Sequence, residues 1–531
     1  MKITVLGQGY VGLVTAGGAA AWGHEVTGVE VNRERLLALQ SGFAPFHEPG
    51  LSDLIEEHLA GGTLRFTDDG AEAAASSKLT FVAVGTIDPS QRWDTQTIRA
   101  ALAGIVPHIP DDGALVVRST CPPEFVAQLP AFVDSLREQA GRHAIAVMLN
   151  PEFTKEGTAV RDFLQPDRVV LGIGSDPRGR GVALLREFYA HVTTPVLVLD
   201  AIDASLSKLG ANLFLATKIS FANELAALCD LYGSQVERVV EGMAYDPRIG
   251  GSFLQAGIGF GGSCLPDQVT MTVRDATARG QDTPLLAAVE LINSRQRSAF
   301  ADRIDSLVGG AAGQRVALLG LTFKPNTDDL RAAPSLDIAR ALIAMGATVV
   351  AYDPMEAARR RAEIEVEGLI VVDDVIAALT GADAVGLVTE WPEFVSLPWS
   401  SVARLVARRI IVDGRNALNA DALVEAGFIY SSFGRGNRVP AEFEARPAAA
   451  VAAARRSTQV GLELVAAGPR RVAGSSVGRW VLPAGSRITA RLRLSLVALV
   501  LRPRGTRSPI RYAWLSRPCD RWCVNAPTTF A

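Results

Sequence analysis

The sequence predicts an α/β protein of two doubly wound domains, joined by a long central helix and followed by a basic C-terminal extension of low order. Three observations carry that expectation. Short apolar runs of strand length alternate with helical stretches in residues 1–200, and do so again in residues 301–436. Residues 201–300 lack strand signals and show helical spacing of apolar side chains instead. In residues 437–531 lysine disappears, arginine dominates and no apolar period is found.

Length and composition bound the rest. A chain of 531 residues has room for roughly two to four domains of about 150 residues. A net charge of −3 excludes a chain built as a whole to bind nucleic acid. The five cysteines, Cys121, Cys229, Cys264, Cys519 and Cys523, are too few and too scattered for a disulfide framework. That pattern fits a reducing cytoplasm, where a free thiol stays usable. Cys519 and Cys523 are too isolated to form a metal site, and no metal is expected. The first strand begins with no basic leader before it. No apolar run reaches the roughly 18 residues of a membrane span, so no membrane partner is expected.

In the first domain, strands are expected at residues 3–6, 25–29, 79–84, 114–118, 144–149 and 169–172. Between the first strand and its helix lies Gly7-Gln8-Gly9-Tyr10-Val11-Gly12. The first glycine allows a tight turn, the second admits a pyrophosphate to the backbone, and the third lets helix and strand pack closely. A phosphate would sit on the helix N-terminus. This is the dinucleotide fingerprint of a Rossmann-type domain. The second strand ends in Glu30, where an acid binds a ribose 2′-hydroxyl and repels a 2′-phosphate, so NAD is expected rather than NADP. Arg33 and Arg35 nearby weigh against that choice only slightly. Thr86, Thr120, Glu152 and Glu156 follow strand ends, the edge at which such sheets bind ligands.

In the central region, Leu206, Leu209, Leu213, Ala216 and Ile219 are spaced to line one face of a long helix, over about residues 201–230. Its apolar face suggests a homodimer. Lys208 and Asn212 are four apart and share a face, where an ammonium and an amide can both donate to an oxyanion. Further on, glycines crowd residues 257–262, just before Ser263 and Cys264. Such a turn brings backbone close to a ligand, and a helix N-terminus stabilises a thiolate. A cysteine alone is more often a small buried hydrophobe. A thiol beside a redox cofactor suits a reaction that takes an aldehyde on to an acid, since hydride leaves readily from a thiohemiacetal. The second alternating block has strands at 316–320, 348–352, 384–388 and 410–413, and ends near residue 432.

Taken together, these motifs resemble the UDP-glucose/GDP-mannose dehydrogenase family, in the family's order, over residues 1 to about 435. The resemblance also covers Pro45-Phe46-His47-Glu48-Pro49-Gly50-Leu51, Asn150-Pro151-Glu152-Phe153 and Gly320 to Arg331. It implies a four-electron oxidation of a hexose C6 hydroxyl with two NAD per sugar, with UDP-glucose going to UDP-glucuronate for polysaccharide synthesis. Cys264 would form the thiohemiacetal, Lys208 and Asn212 would stabilise oxyanions, and Thr120 and Glu156 would position water or cofactor. Gly7, Gly9, Tyr10, Val11, Gly12, Glu30, Arg35, Thr86 and Arg331 would hold NAD. Glu152, Phe153, Phe253, Leu254, Gly257, Gly262 and Lys324 would hold the sugar nucleotide. Arg248 would reach the neighbouring subunit's substrate.

One departure stands out. After Cys264-Leu265-Pro266 the family continues Lys-Asp, whereas this chain has Asp267-Gln268. Glutamine accepts no proton at neutral pH. Either Asp267 serves as the base from the adjacent helix position, or release relies on Glu156 and water, or the protein binds sugar nucleotides without turning them over. GDP-mannose and UDP-N-acetylhexosamines are the alternative substrates.

Overall fold

The computed structural model describes residues 1–440 except 89 and 91, together with three two-residue strands further on. Eight strands form the first sheet: β1 (Lys2–Leu6), β2 (Glu25–Val29), β3 (Leu64–Thr67), β4 (Leu79–Val82), β5 (Ala114–Val117), β6 (Ala146–Leu149), β7 (Val169–Ser175) and β8 (Val196–Asp200). Their order is β3-β2-β1-β4-β5-β6-β7-β8. Strands β4, β5 and β6 are buried at every position, as continuous apolar runs are when helices cover both faces of a sheet. The chain reverses its direction of travel across the sheet between β1 and β4, which opens a crevice at their C-terminal ends.

The expectation of a parallel sheet needs one amendment. Strand β7 runs antiparallel to β6, with a register irregularity at Val147/Met148, and β8 is parallel to β7. Two strands, β3 and β8, were not expected from the sequence. Strand β3 has only four residues, with Arg65 exposed in its middle. Strand β8 is an edge strand with no fully buried residue, so neither carries a strong burial pattern.

The second sheet comprises β9 (Arg315–Leu319), β10 (Thr348–Tyr352), β11 (Ile370–Val371), β12 (Ala384–Leu387), β13 (Ile410–Asp413), β14 (Ile429–Ser432) and β15 (Asn437–Arg438). Its order, β11-β10-β9-β12-β13-β14-β15, repeats the reversal beside the first strand. Strand β15 pairs antiparallel with β14, so ordered pairing continues two residues past 436. The low-order extension expected beyond that point lies outside the described residues, apart from β16 (Arg470–Arg471), β17 (Trp480–Val481) and β18 (Thr529–Phe530), which pair antiparallel in that order.

Between the sheets runs the helix Ala201–Tyr232, which Gly233 ends in a left-handed conformation at φ 70. Its buried face mixes apolar and polar side chains: Ala204, Leu209, Ala216, Ala226 and Cys229 with Ser205, Lys208, Asn212, Ser220 and Asn223. Leu206, expected on that face, is 47% exposed. The helix Cys264–Ala278 and the helix Pro284–Val308 pack on it, with Ala216, Phe260, Val269 and Val289 as the shared apolar contact. Among the described residues no helix is long and apolar enough to cross a membrane.

Candidate functional site

The glycine turn after β1 closes as its spacing requires. Gly7 has φ +86 and donates its N–H to Val29 O at 2.9 Å. A Cβ on Gly12 would lie 1.8 Å from Gly7 O, whereas one on Gly9 would meet nothing within 4 Å. The turn is therefore tight where it packs and open where a ligand approaches. No side chain caps the helix Tyr10–Ala21, so its first N–H groups, Val11 among them, are left for an anion. A cleft of about 300 Å³ opens beside it, lined by Gln8, Gly9, Tyr10, Arg35, Glu156 and Arg331 among others. At the end of β2, Glu30 is 5% exposed and accepts from Asn32 N at 2.8 Å and from Arg35 Nη1 at 3.2 Å. Each carboxylate oxygen keeps a lone pair for a ribose hydroxyl. At the ends of β4 and β5, the Thr86 hydroxyl donates to Thr120 O at 2.7 Å. These residues fit a dinucleotide.

The loop after β6 carries the acids. Asn150 anchors it, donating to Val170 O at 3.0 Å and accepting from Arg118 at 2.5 Å and Tyr189 at 2.6 Å. Glu152 accepts from Lys208 Nζ at 3.0 Å and from the Thr154 backbone and hydroxyl at 2.8 and 2.6 Å. Burial pushes the Glu152 carboxyl up, but Lys208, Thr154 and Arg118 outweigh it and hold the group below its ordinary value. Lys208 also lies 5.4 Å from the centre of the Phe153 ring, and the Arg168 guanidinium lies 3.7 Å from it.

Glu156 behaves in the opposite way. Burial and the neighbouring Asp329 carboxylate raise it, against Arg331 and Lys324, and it is pushed up to about 8. Its Oε1 accepts from Arg331 Nη2 at 3.1 Å, and its buried Oε2 has no hydrogen-bond partner. Arg331 is chelated by Asp329 through Nε at 2.9–3.0 Å and Nη2 at 2.7 Å. Lys324 comes from the same loop of the second sheet. Burial lowers its pKa, against Glu156, Glu48 and Cys264.

Cys264 opens the helix Cys264–Ala278, within electrostatic reach of Glu152, Glu156 and Lys208. The turn before it is held from three sides. Asn293 accepts from Phe260 N at 2.8 Å and donates to Phe260 O at 3.1 Å, and Asn223 accepts from Gly257 N at 2.8 Å. Arg415 donates to Gly259 O at 3.3 Å and to Phe323 O at 2.8 Å. The thiol is solvent-accessible on one side and crowded by protein on the others. Burial, Glu152 and Glu156 raise its pKa more than Lys208 and Ser263 lower it.

The residues after Cys264 take different partners. Gln268 is buried and accepts from Asn212 Nδ2 at 3.0 Å, which fixes the orientation of that amide. Asp267 is half-buried. Burial raises its pKa, Arg331 lowers it and Asp329 raises it, so it interacts with that pair. Sequence reasoning thus missed Asp329, Glu48, Asn223 and Asn293. Asp329 and Glu48 lay inside motifs already noted, and nothing local marks the two asparagines.

The structure brings Glu152, Glu156, Lys208, Cys264, Lys324 and Arg331 within electrostatic reach of one another. It leaves others apart. The Arg248 side chain is 87% exposed and pairs with Asp246, at 2.6 Å. Phe253 takes a left-handed conformation at φ 64, and Leu254 is buried. Gly257 packs on the second domain, where a Cβ would lie 2.4 Å from Gly414 O. At Gly262 a Cβ would lie 2.9 Å from the Phe323 ring.

Comparison with known proteins matches three regions to one family. Residues 1–193 match the NAD binding domain of the UDP-glucose/GDP-mannose dehydrogenase family, residues 203–295 its central domain and residues 317–420 its UDP binding domain. The chain is 37% identical to the UDP-glucose 6-dehydrogenase TuaD of Bacillus subtilis, over 82% of this chain and 93% of that one. Among solved structures, a UDP-glucose dehydrogenase from Pyrobaculum islandicum aligns with TM-score 0.74 at 35% identity, over 81% of this chain and 96% of that one. A UDP-D-ManNAc dehydrogenase from Pyrococcus horikoshii aligns with TM-score 0.72 at 28% identity, over 82% of this chain and 100% of that one.

Proposed function

The chain belongs to the UDP-glucose/GDP-mannose dehydrogenase family, and from that premise we propose that it oxidises UDP-glucose at C6, in two steps, to UDP-glucuronate. The observation that supports this reading is the electrostatic reach of Cys264 to the Lys208–Glu152 pair and to Glu156. NAD, when bound, accepts one hydride at each oxidation. The balance is one primary alcohol, two NAD and one water in, and one carboxylate, two NADH and three protons out.

The side chains of this chain do the rest. Addition of the Cys264 sulfur to the C6 aldehyde forms the S–C bond and carries the thiol proton to the new hydroxyl. No net charge is created in a buried site. Lys208 and the Asn212 amide stand ready to stabilise the oxygen at C6 whenever it carries charge. After the second oxidation, water adds to the thioester, the C–S bond breaks and the thiol is restored. Gln268 holds Asn212 and takes no proton. Glu156, which ionises near pH 8 and has an unpartnered oxygen, is the base this reading assigns to that water. Asp267 lies with Arg331 and Asp329 and tunes that group. Thr120 and Arg331 would border the cofactor, and Lys324 would border the sugar nucleotide.

The same reading includes a homodimer through the central helix. Exposed Phe214, Phe221, Leu228, Leu231 and Tyr232 support it, and the exposed Arg248, held by Asp246, would reach a neighbouring copy's substrate.

The test is stoichiometric. NADH is counted per UDP-glucose consumed, in the wild type and in Cys264→Ala. Two NADH per sugar, abolished in the variant, is the expected result. Turnover of UDP-N-acetylmannosamine or GDP-mannose in place of UDP-glucose would reassign the substrate. Binding of UDP-glucose with no NADH from any sugar nucleotide would make the protein a binder and not an enzyme.

A further inference from the structure

Glu48 lies between the helix Arg33–Gln40 and the helix Leu51–Ala60, and is 4% exposed. Its carboxylate gathers three donors from two distant segments. Oε1 accepts from Ala159 N at 2.7 Å, and Oε2 accepts from Gly157 N at 2.6 Å and from the Tyr10 hydroxyl. Gly157 directly follows Glu156, and Tyr10 is the first residue of the helix on the glycine turn. One carboxylate therefore joins the dinucleotide turn to the backbone beside Glu156.

The neighbours of Glu48 extend the junction. Phe46 packs on Tyr10 with ring centres 4.9 Å apart. His47 N donates to Asp328 Oδ1 at 3.2 Å, on the second domain's loop. Gly157 has φ +81, and a Cβ there would lie 3.2 Å from Asn326 on that same loop. The segment beside Glu156 is thus fixed between both domains, with Glu48 accepting the backbone N–H groups that follow Glu156 and Asp162 accepting that of Lys155, at 3.0 Å, before it.

We infer that Glu48 is a positioning residue for Glu156, holding its loop against the cleft and coupling it through Tyr10 to the dinucleotide turn. The inference rests on the role assigned to Glu156 above. An acceptor-only group is required: an amide in its place would turn an NH₂ toward one of the backbone N–H groups. The charged and titratable groups facing Glu156 are Asp329, Arg331 and Lys324 from the second domain, Cys264 from its helix and Tyr10 from the turn. Releasing the loop hydrates Glu156 and weakens its contact with all of them.

Glu48→Gln and Tyr10→Phe test this in the full-length protein, with three readouts. Amide hydrogen exchange over residues 150–160 should speed up in Glu48→Gln, and less so in Tyr10→Phe. The turnover number should fall by about ten- to a hundred-fold in Glu48→Gln, as a displacement on the order of 1 Å costs, while KM for NAD changes by less than about three-fold. The midpoint of the pH dependence of kcat should move down from about 8. Unchanged exchange in the folded variants overturns the tie. Faster exchange with wild-type kcat and pH midpoint overturns the positioning of Glu156. Lower thermal stability with equal loss of affinity for both ligands and an unmoved pH midpoint also overturns it, since that is a scaffold role alone. If Glu48→Gln does not fold, the same readouts on Tyr10→Phe decide. A wild type that oxidises no sugar nucleotide sinks the proposed function, while the exchange measurement still upholds or overturns the tie.

Discussion

At the scale of single residues, the site sets two glutamates four positions apart to opposite tasks. Glu152 is buried with a cation, and its depressed pKa makes it a permanent anion at neutral pH. Its stabilising contribution is present above the unfolded pKa and lost as pH falls through the folded one. Removing Lys208 leaves that anion buried and alone, which costs about 3–5 kcal/mol. Lys208→Met should therefore lower the urea midpoint markedly, and adding Glu152→Gln should restore much of the stability without restoring activity. Glu156 carries the opposite sign. Its folded pKa, about 8, lies above its ordinary 4.5, so its contribution is complete below the ordinary value and is lost as pH rises through about 8. Thermal melts from pH 5 to about pH 9 should show a decline in the wild type that Glu156→Gln flattens. A wild-type curve flat across that window would contradict the raised value.

At the scale of elements, the turn before Cys264 depends on glycines that no other residue replaces. Gly259 has φ +88, and a Cβ there would come within 2.3 Å of Asn293 Oδ1, the atom that accepts from Phe260 N. Gly259→Ala should cost about 1–2 kcal/mol for the left-handed backbone alone, and more for the displaced asparagine. Chemical denaturation measures the sum, and loss of NADH formation should exceed the loss of folded protein. The glycine crowding around residues 257–262 was legible as sequence, as were Gly7-x-Gly9-x-x-Gly12 and the apolar strands on both sides. Strand direction was not, because an apolar run reads the same in either sense, and so β7 emerged antiparallel. The central helix was expected over nearly its full length, yet its buried face was misjudged at Leu206. Leu209, Leu213, Ala216 and Ile219 do lie on or against the core as their spacing predicts, while Lys208, Asn212 and Asn223 share the buried side and apolar periodicity does not report them. The raised pKa of Cys264 was equally illegible, since Glu152 and Glu156 approach it only through the fold.

At the scale of the whole molecule, the proposed homodimer rests on the exposed side of the central helix. Phe214, Phe221, Leu228, Leu231 and Tyr232 are between 47% and 79% exposed, a run that few monomers leave open to water. Phe221→Glu combined with Leu231→Glu should halve the mass measured by light scattering, and an unchanged mass, whether one copy or two, would refute an interface on this helix. Arg248→Ala should raise KM for the sugar nucleotide and leave the mass unaltered.

The central helix also acts as a lever arm. Lys208 and Leu231 stand at opposite ends of one uninterrupted rod, about 35 Å apart by helical rise. A rod of that length tilted by about 2° moves its far end by about 1 Å, a displacement on the order of that which costs a hundred-fold in rate. Substitutions near Leu231 should then be felt at the Lys208 ammonium as a change of aim, and mutational tolerance there should follow mechanical leverage more closely than distance from Lys208.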